Sequence, residues 1–263
     1  MHLLRSRQRA AAARVGLLWM LALVLVACGT GRPGDATGAP KPAPTTSTAS
    51  SSLAGAELLS APQDLTPGVR YLHDRFRVPY AFTPPDTGGL GGPWHGGGGG
   101  QQAGEPFSGV SLDNSPGYPW VSFHAPDRVY DPRRPTRLVP APRDQRGWMA
   151  WLQRHPYLRA RQVGPVTVGG VRGVQLETAK VAGNSAPASF CAPLPSCVPF
   201  HEFGTGGPGG PVGFVKGDRI RWIALQVQGT PLVIEYGTSP EHFPAFAPLA
   251  KKLLGSVEFR PTG

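Results

Sequence analysis

Residues Arg219-Ile-Arg-Trp-Ile-Ala-Leu-Gln-Val-Gln-Gly-Thr-Pro-Leu-Val-Ile-Glu-Tyr236 decide the fold. Two runs rich in β-branched and aromatic side chains, Arg219–Val227 and Leu232–Tyr236, flank Gln228-Gly229-Thr230-Pro231. Two such runs around a short glycine-containing turn read as a β-hairpin. Outward from it, Tyr118–His124 and Val171–Val181 are strand-like, and Val257–Phe259 is a closing strand. In Phe76–Phe82 the apolar residues alternate as Phe76, Val78, Tyr80 and Phe82, with Pro79 marking an edge position.

Two helices separate these strands. Asp144 is placed to cap the first, with Trp148, Trp151 and Leu152 on one face. His155-Pro156 ends it, because a residue before proline avoids the α region. The second is signalled by Ser239-Pro240-Glu241, an N-cap, a proline at the first position and an acid in the first turn. Phe243, Phe246, Ala247, Ala250 and Leu254 recur at helical spacing, and Gly255 is the stop. Pro244 and Pro248 predict a bent or late-starting helix, since an interior proline costs about 3 kcal/mol. The expected fold is therefore α+β, an antiparallel sheet covered by one or two helices, in a single domain over 61–263.

The N-terminal segment is of a different kind. Met1–Arg14 carries four arginines and no acid, and Val15–Ala27 is an apolar run of 13 residues. A spanning helix needs about 20. A basic start, a short apolar stretch and small residues before Cys28 are the parts of a secretory signal over 1–27. Leu25-Val-Ala-Cys28 resembles the lipobox of bacterial lipoproteins, which implies a diacylglycerol on the Cys28 thiol and a lipid-anchored life on the extracytoplasmic face of the cell membrane. From Cys28 to residue 60 the chain is mostly Gly, Pro, Ala, Ser and Thr, which reads as a disordered tether. Leu53–Leu59 reads as a short helical turn or as more tether.

The net charge is +10, or +6 without residues 1–27. The cations are 21 arginines and 5 lysines. This surplus reads first as arginine-for-lysine bias on a solvated surface. Contact with anionic lipid headgroups or wall polymers is the functional alternative. No basic run is long enough for a nucleic-acid arm, so nucleic acid is not an expected partner.

With Cys28 acylated, Cys191 and Cys197 remain, five residues and two prolines apart. In an oxidising exterior they read as a structural disulfide closing a tight loop worth about 2 kcal/mol. Metal and redox pairs are spaced more closely, so neither a metal nor a cofactor is expected.

Two glycine-rich stretches, 88–104 and 204–213, read as loops, with His95 in solvent. Trp94, alone among glycines, reads either as a partner-binding anchor or as a residue that tucks back to close its loop. Gly204-Thr-Gly-Gly-Pro-Gly209 matches G-x-G-x-x-G only formally, because no helix opens within it. There is no Gly-x-Ser-x-Gly, and His201-Glu202 lacks the second histidine of a zincin. His124 and Asp127, at a strand end, are the best polar pair, although Asp after Pro126 is also ordinary turn chemistry. Trp148, Trp151, Trp222 and Phe246 are possible apolar ligand contacts, or core. The expected function is a non-enzymatic binding or accessory module of the cell envelope, with a lipid, glycan or protein ligand. The alternative is an envelope hydrolase using Glu177, Glu235 or Asp127 near His124.

Phe76-Arg-Val-Pro-Tyr-Ala-Phe82, Trp151-Leu-Gln-Arg-His-Pro-Tyr-Leu158, Val166-Thr-Val-Gly-Gly-Val-Arg-Gly-Val174, the hairpin turn and Leu254-Gly-Ser-Val-Glu-Phe259 occur in this order. The set resembles uncharacterised exported proteins of actinobacteria, whose C-terminal half is similar to the PsbP-like α/β/α sandwich of LpqN-type lipoproteins. The resemblance covers roughly 76–259. It implies a binding or assembly accessory and carries over no catalytic residue.

Overall fold

The hairpin lies inside the eight-stranded sheet of a computed structural model that describes residues 55–98, 104–180, 197–202, 211–215 and 217–261. In chain order the strands before the first helix are β1 (Glu57–Leu58), β2 (Gln63–Leu65), β3 (Tyr71–His73), β4 (Tyr80–Phe82), β5 (Trp94–Gly98), β6 (Phe107–Leu112), β7 (Trp120–His124), β8 (Arg128–Asp131) and β9 (Arg134–Pro140). Helix α1 (Gln145–Arg154) is followed by β10 (Leu158–Val168), β11 (Val171–Lys180), β12 (Cys197–Glu202), β13 (Pro211–Val215), β14 (Arg219–Val227) and β15 (Thr230–Thr238). Helix α2 (Phe243–Gly255) and β16 (Glu258–Phe259) complete the order.

An eight-stranded sheet runs β10-β11-β14-β15-β7-β6-β5-β2, and a four-stranded sheet runs β1-β3-β4-β16. Every neighbour pair of the large sheet is antiparallel. The β14–β15 turn is Gln228-Gly229 with φ of 49° and 84°. Two successive positive φ values define the turn whose twist matches the flanking strands, and Gly229 takes its value without steric cost.

Successive residues of a strand point to opposite faces, so the sheet sorts its side chains. Trp222, Ala224 and Val233 join Trp148, Trp151, Leu152 and Phe200 in a cluster under α1. Ile223, Leu225, Ile234 and Tyr236 join Phe243, Phe246, Ala250 and Leu253 in a larger cluster under α2. The fold is thus a sheet-rich α+β fold with one helix on each face of its large sheet.

Helix α1 starts as its sequence dictates, with Asp144 Oδ1 accepting from Gly147 N at 2.7 Å. Helix α2 starts late. Residues Ser239–His242 form a turn, His242 stands at the N-cap, and Pro244 occupies the first turn, where its missing N–H has no partner to lose. Ser256 Oγ closes the other end by donating toward Leu253 O and Thr83 O.

Five expectations are corrected, and of the two readings of Trp94 one is selected. Residues 88–104 are not all loop, because β5 lies inside them. Its glycines serve close packing: a Cβ on Gly96 would stand 2.8 Å from a Leu65 methyl. Trp94 is fully buried against Phe246, and its Nε1 donates to Pro85 O at 2.8 Å, so it tucks back rather than projecting to a partner. His95 is only partly exposed and meets Asp64 Oδ1 at 3.1 Å. The ordered domain begins before residue 61, since β1 pairs with β3 and Leu59 is buried. The strand expected over Phe76–Phe82 is confined to β4, although Phe76 and Val78 are buried as their spacing implied. In the second glycine-rich stretch, Pro211–Val215 is strand β13. Cys28 and Cys191 lie outside the described residues, so the acyl site and the disulfide expectation find no coordinates here.

Candidate functional site

Three polar side chains converge under α1. His124 ends β7, Glu235 lies in β15 and His201 lies in β12. The β15–β7 register sets Val233 opposite His124 and Glu235 opposite Ser122, which puts His124 and Glu235 on the same face. His124 Nδ1 lies 2.7 Å from His201 Nε2. His124 Nε2 lies 3.3 Å from Glu235 Oε1, which also accepts from Trp120 Nε1 at 3.3 Å. His124 and His201 are 0 % exposed and Glu235 is 3 %, so the chain of groups is internal.

Burial sets the protonation of this chain. It penalises charge, raising Glu235 to about 8 against a hydrogen bond from Trp120, and lowering His124 to about 3. Both are neutral at pH 7. A carboxyl that keeps its proton offers the donor that His124 Nε2 lacks, because Nε2 has no other partner. With Nε2 accepting, a neutral His124 carries its own proton on Nδ1, which faces His201 Nε2. The arrangement is a buried chain of polar groups closed off by Phe107 and Phe200, whose rings each lie 5.1 Å from that of His124.

The other sequence candidates part company. Asp127 does not pair with His124. It is a surface carboxylate gripped by Arg77 through both oxygens, at 2.6 and 2.8 Å. Trp148, Trp151 and Trp222 share the α1 cluster, each at most 9 % exposed. Phe246 sits on the opposite face of the sheet, so the four aromatics do not line one pocket. Phe246 instead borders a shallow apolar cleft of about 240 Å³ with Leu90, Pro116, Pro119 and His242. Among the described residues no group of three or more His, Cys, Asp or Glu is arranged to hold a metal, and no helix is long and apolar enough to cross a membrane.

Glu177 belongs to a different constellation, on the α2 face where the sheet runs past the start of the helix. The register aligns Arg161, Glu177, Arg221 and Tyr236 in one row across β10, β11, β14 and β15. The next row is Arg159, Ala179, Arg219 and Thr238. Glu177 is the one acid among four arginines in these two rows. Arg219 Nη2 donates to both its oxygens at 3.0 and 3.1 Å, Arg221 Nε donates to Oε2 at 3.1 Å, and Arg161 Nη2 donates to Oε1 at 3.2 Å. Partial burial pushes the Glu177 pKa up, but the three arginine bonds together hold it below the usual glutamate range. The Arg219 and Arg221 guanidiniums lie 4.7 and 5.5 Å from the Phe243 ring centroid, over its negative face. Sequence reading treated these arginines as dispersed surface charge. The signal that could have found them is the i, i+2 spacing of Arg159/Arg161 and Arg219/Arg221 on strands, which puts each pair on one face.

No protein-family profile matches the chain, and no curated protein does. Among solved structures, the cyanobacterial PsbP protein CyanoP from Synechocystis sp. PCC 6803 aligns at TM-score 0.33 and 13 % identity, covering 76 % of this chain and 94 % of that one. LpqN of Mycobacterium tuberculosis, described as involved in cell envelope biogenesis, aligns at TM-score 0.29 and 11 % identity, covering 76 % and 91 %. At these scores the architecture and the sites rest on the geometry above, not on either neighbour.

Proposed function

We propose that this chain is a lipid-anchored, extracytoplasmic binding module of the cell envelope, and that it engages an anionic envelope ligand through the arginine rows of its large sheet. The observation that carries the reading is the concentration of four arginines around a single carboxylate on one face. The signal-like N-terminus, Cys28 and the tether supply the location. Trp94, Trp148, Trp151, Trp222 and the histidine–glutamate relay are buried, whereas Arg159 and Arg161 of the arginine rows are exposed. The motifs quoted from the sequence further support descent from the PsbP-like sandwich. Mass spectrometry of the Cys28 peptide should find a diacylglycerol adduct, and capture on the purified full chain should enrich an anionic envelope component. Unmodified Cys28 on a protein pool inside the cell would overturn the location, and capture that is indifferent to anionic charge would overturn the ligand class.

The convergence of His124 and Glu235 favours a second reading, a hydrolase. Its difficulty is access, since neither group reaches the surface. A general acid or base has to come within hydrogen-bond reach of its substrate. Ester, amide and glycoside turnover that disappears in Glu235→Gln would establish this reading over the first.

A further inference from the structure

The arginine rows are more than a positive surface. Three guanidiniums present up to fifteen N–H donors, and Glu177 offers two oxygens to receive them. Glu177 accepts four hydrogen bonds from them and Tyr236 is a further partner of Arg221, so the donors outnumber these acceptors, and the Phe243 ring lies against Arg219 and Arg221. Exposure is graded across the two rows: the side chain of Arg221 is 17 % exposed, that of Arg219 36 % and that of Arg161 72 %. The inner arginine is held on both sides and the outer one is open to solvent. Arg159, in the neighbouring row, is exposed as well. Phe243, against whose ring Arg219 and Arg221 lie, is the first residue of helix α2, so the positive end of the helix dipole is close by, with exposed Glu241 two residues before it as a partial offset.

Planar guanidiniums in a fixed fork match the paired oxygens of a phosphate better than a diffuse positive field does. We infer that this face docks the phosphate of anionic phospholipid headgroups at the membrane surface, and that Glu177 is its positioning residue, holding Arg161, Arg219 and Arg221 in register for the ligand. The inference rests on the binding-module reading and deepens it by naming the ligand chemistry. The membrane is the source that the proposed anchor keeps within reach, and its headgroups have the complementary charge.

The role given to Glu177 has an opposite sign from plain electrostatics. If only net charge mattered, removing the acid would strengthen binding. If Glu177 aligns the arginines, removing it weakens binding although the site becomes more positive. The test is calorimetric titration of the full chain in neutral detergent with monomeric dihexanoyl phosphatidylglycerol. Parallel arms use dihexanoyl phosphatidylcholine and inorganic phosphate. Phosphatidylglycerol should bind, while the zwitterionic lipid and inorganic phosphate should bind at least tenfold more weakly. Glu177→Gln should lose about tenfold in affinity, the effect of one charge-assisted hydrogen-bond set. Arg221→Lys, which keeps the charge and loses the fork, should lose a similar factor. Arg161→Ala, at the open edge where folding is least at risk, should lose several-fold with an unchanged melting curve. Tighter binding by Glu177→Gln would overturn the positioning role and leave the anionic-ligand reading standing. Inorganic phosphate binding as tightly as the lipid would overturn the membrane source. Wild-type protein that binds none of the three probes, with the arginine variants unchanged in envelope capture, would overturn both the inference and the reading beneath it.

Discussion

The two faces of the large sheet are drawn from alternate residues of the same strands, yet they treat polar groups in opposite ways. Under α1, the polar groups are taken inside and paired in a line: Trp120, Glu235, His124 and His201. Under α2, the face is mostly apolar, with its buried polar groups paired side by side as Tyr80–Ser108 and Gln175–Tyr236, and its charge gathers where the helix begins. The difference teaches where each kind of cost is met. A buried relay must keep its members neutral and satisfied, because an unpartnered or charged group in a low-dielectric interior is expensive. An arginine cluster at a sheet margin can stay charged, because water and one carboxylate share the load.

The largest effect that tests this contrast belongs to the apolar face. Phe246 is fully buried between α2 and Trp94. Phe246→Ala should destabilise the fold by about 3–5 kcal/mol, the range for a phenylalanine truncated in a packed core. Urea unfolding of the full chain measures it. A loss below about 1 kcal/mol would mean that this face collapses around the vacancy and is not the rigid layer the packing implies.

On the polar face the penalty comes from orphaned groups rather than from lost volume. Glu235→Ala removes the acceptor of Trp120 Nε1 and the group facing His124 Nε2, and should cost about 1–3 kcal/mol. Glu235→Gln, whose amide both donates and accepts, should cost less than the alanine variant. Equal losses would show that the relay contributes only packing.

The buried groups of the relay, with two further buried histidines, give stability a pH dependence. His124, His73 and His155 are lowered by burial from 6.5 to about 3, 4 and 4, so the unfolded chain binds more protons than the folded one between about 4 and 6.5. Stability therefore rises with pH across that window. Glu235 runs the other way. Its folded value of about 8 lies above the ordinary 4.5, so the folded state holds the extra proton, and stability falls as pH rises from 4.5 to 8. Three histidines outweigh one glutamate below 6.5, and only the glutamate acts above it. The expected profile climbs to a maximum near pH 6.5 and declines toward pH 8. Glu235→Gln should flatten the decline and steepen the climb between 4.5 and 6.5, where Glu235 opposes the histidines. An alkaline limb unchanged in that variant would show that Glu235 is already ionised in the folded protein.

How much of this was legible depended on whether the signal was local. The hairpin and the Asp144 cap are written in neighbouring residues and form where those residues indicate, whereas the cap expected at Ser239 is replaced by a turn and α2 starts at Phe243 behind His242. Strand β5 was hidden because its sequence, Trp94-His-Gly-Gly-Gly98, lacks β-branched residues. There the glycines answer the demand of Leu65 for space, which only the tertiary structure expresses. The relay was half visible. His124 and Glu235 were each singled out, but Asp127 was given to His124 as partner because it is near in sequence. Glu235 wins because register, not proximity along the chain, decides which side chains meet across a sheet. His201 could not be paired by any local pattern, since β12 reaches His124 only through the packing of a separate ribbon.

The smallest expected effect separates the two helices that cover the two faces. Helix α1 is held at its start by a side chain: Asp144 accepts from Gly147 N at 2.7 Å. Helix α2 has no side-chain cap bond at His242, and its first N–H groups are met by backbone, with Phe243 N donating to Ser239 O at 3.1 Å. Removing the α1 cap should therefore cost about 1 kcal/mol in Asp144→Ala, the usual value for a lost N-cap. His242→Ala should fall within about 0.5 kcal/mol of wild type, as for a surface substitution that breaks no cap. Urea midpoints of the two variants compare them directly. If His242→Ala were the more damaging, the start of α2 would depend on the Ser239–His242 side-chain contact at 2.8 Å rather than on its backbone turn. The arginine rows beside that turn would then be coupled to the same contact, because Phe243, which carries Arg219 and Arg221 on its ring, is the first residue it fixes.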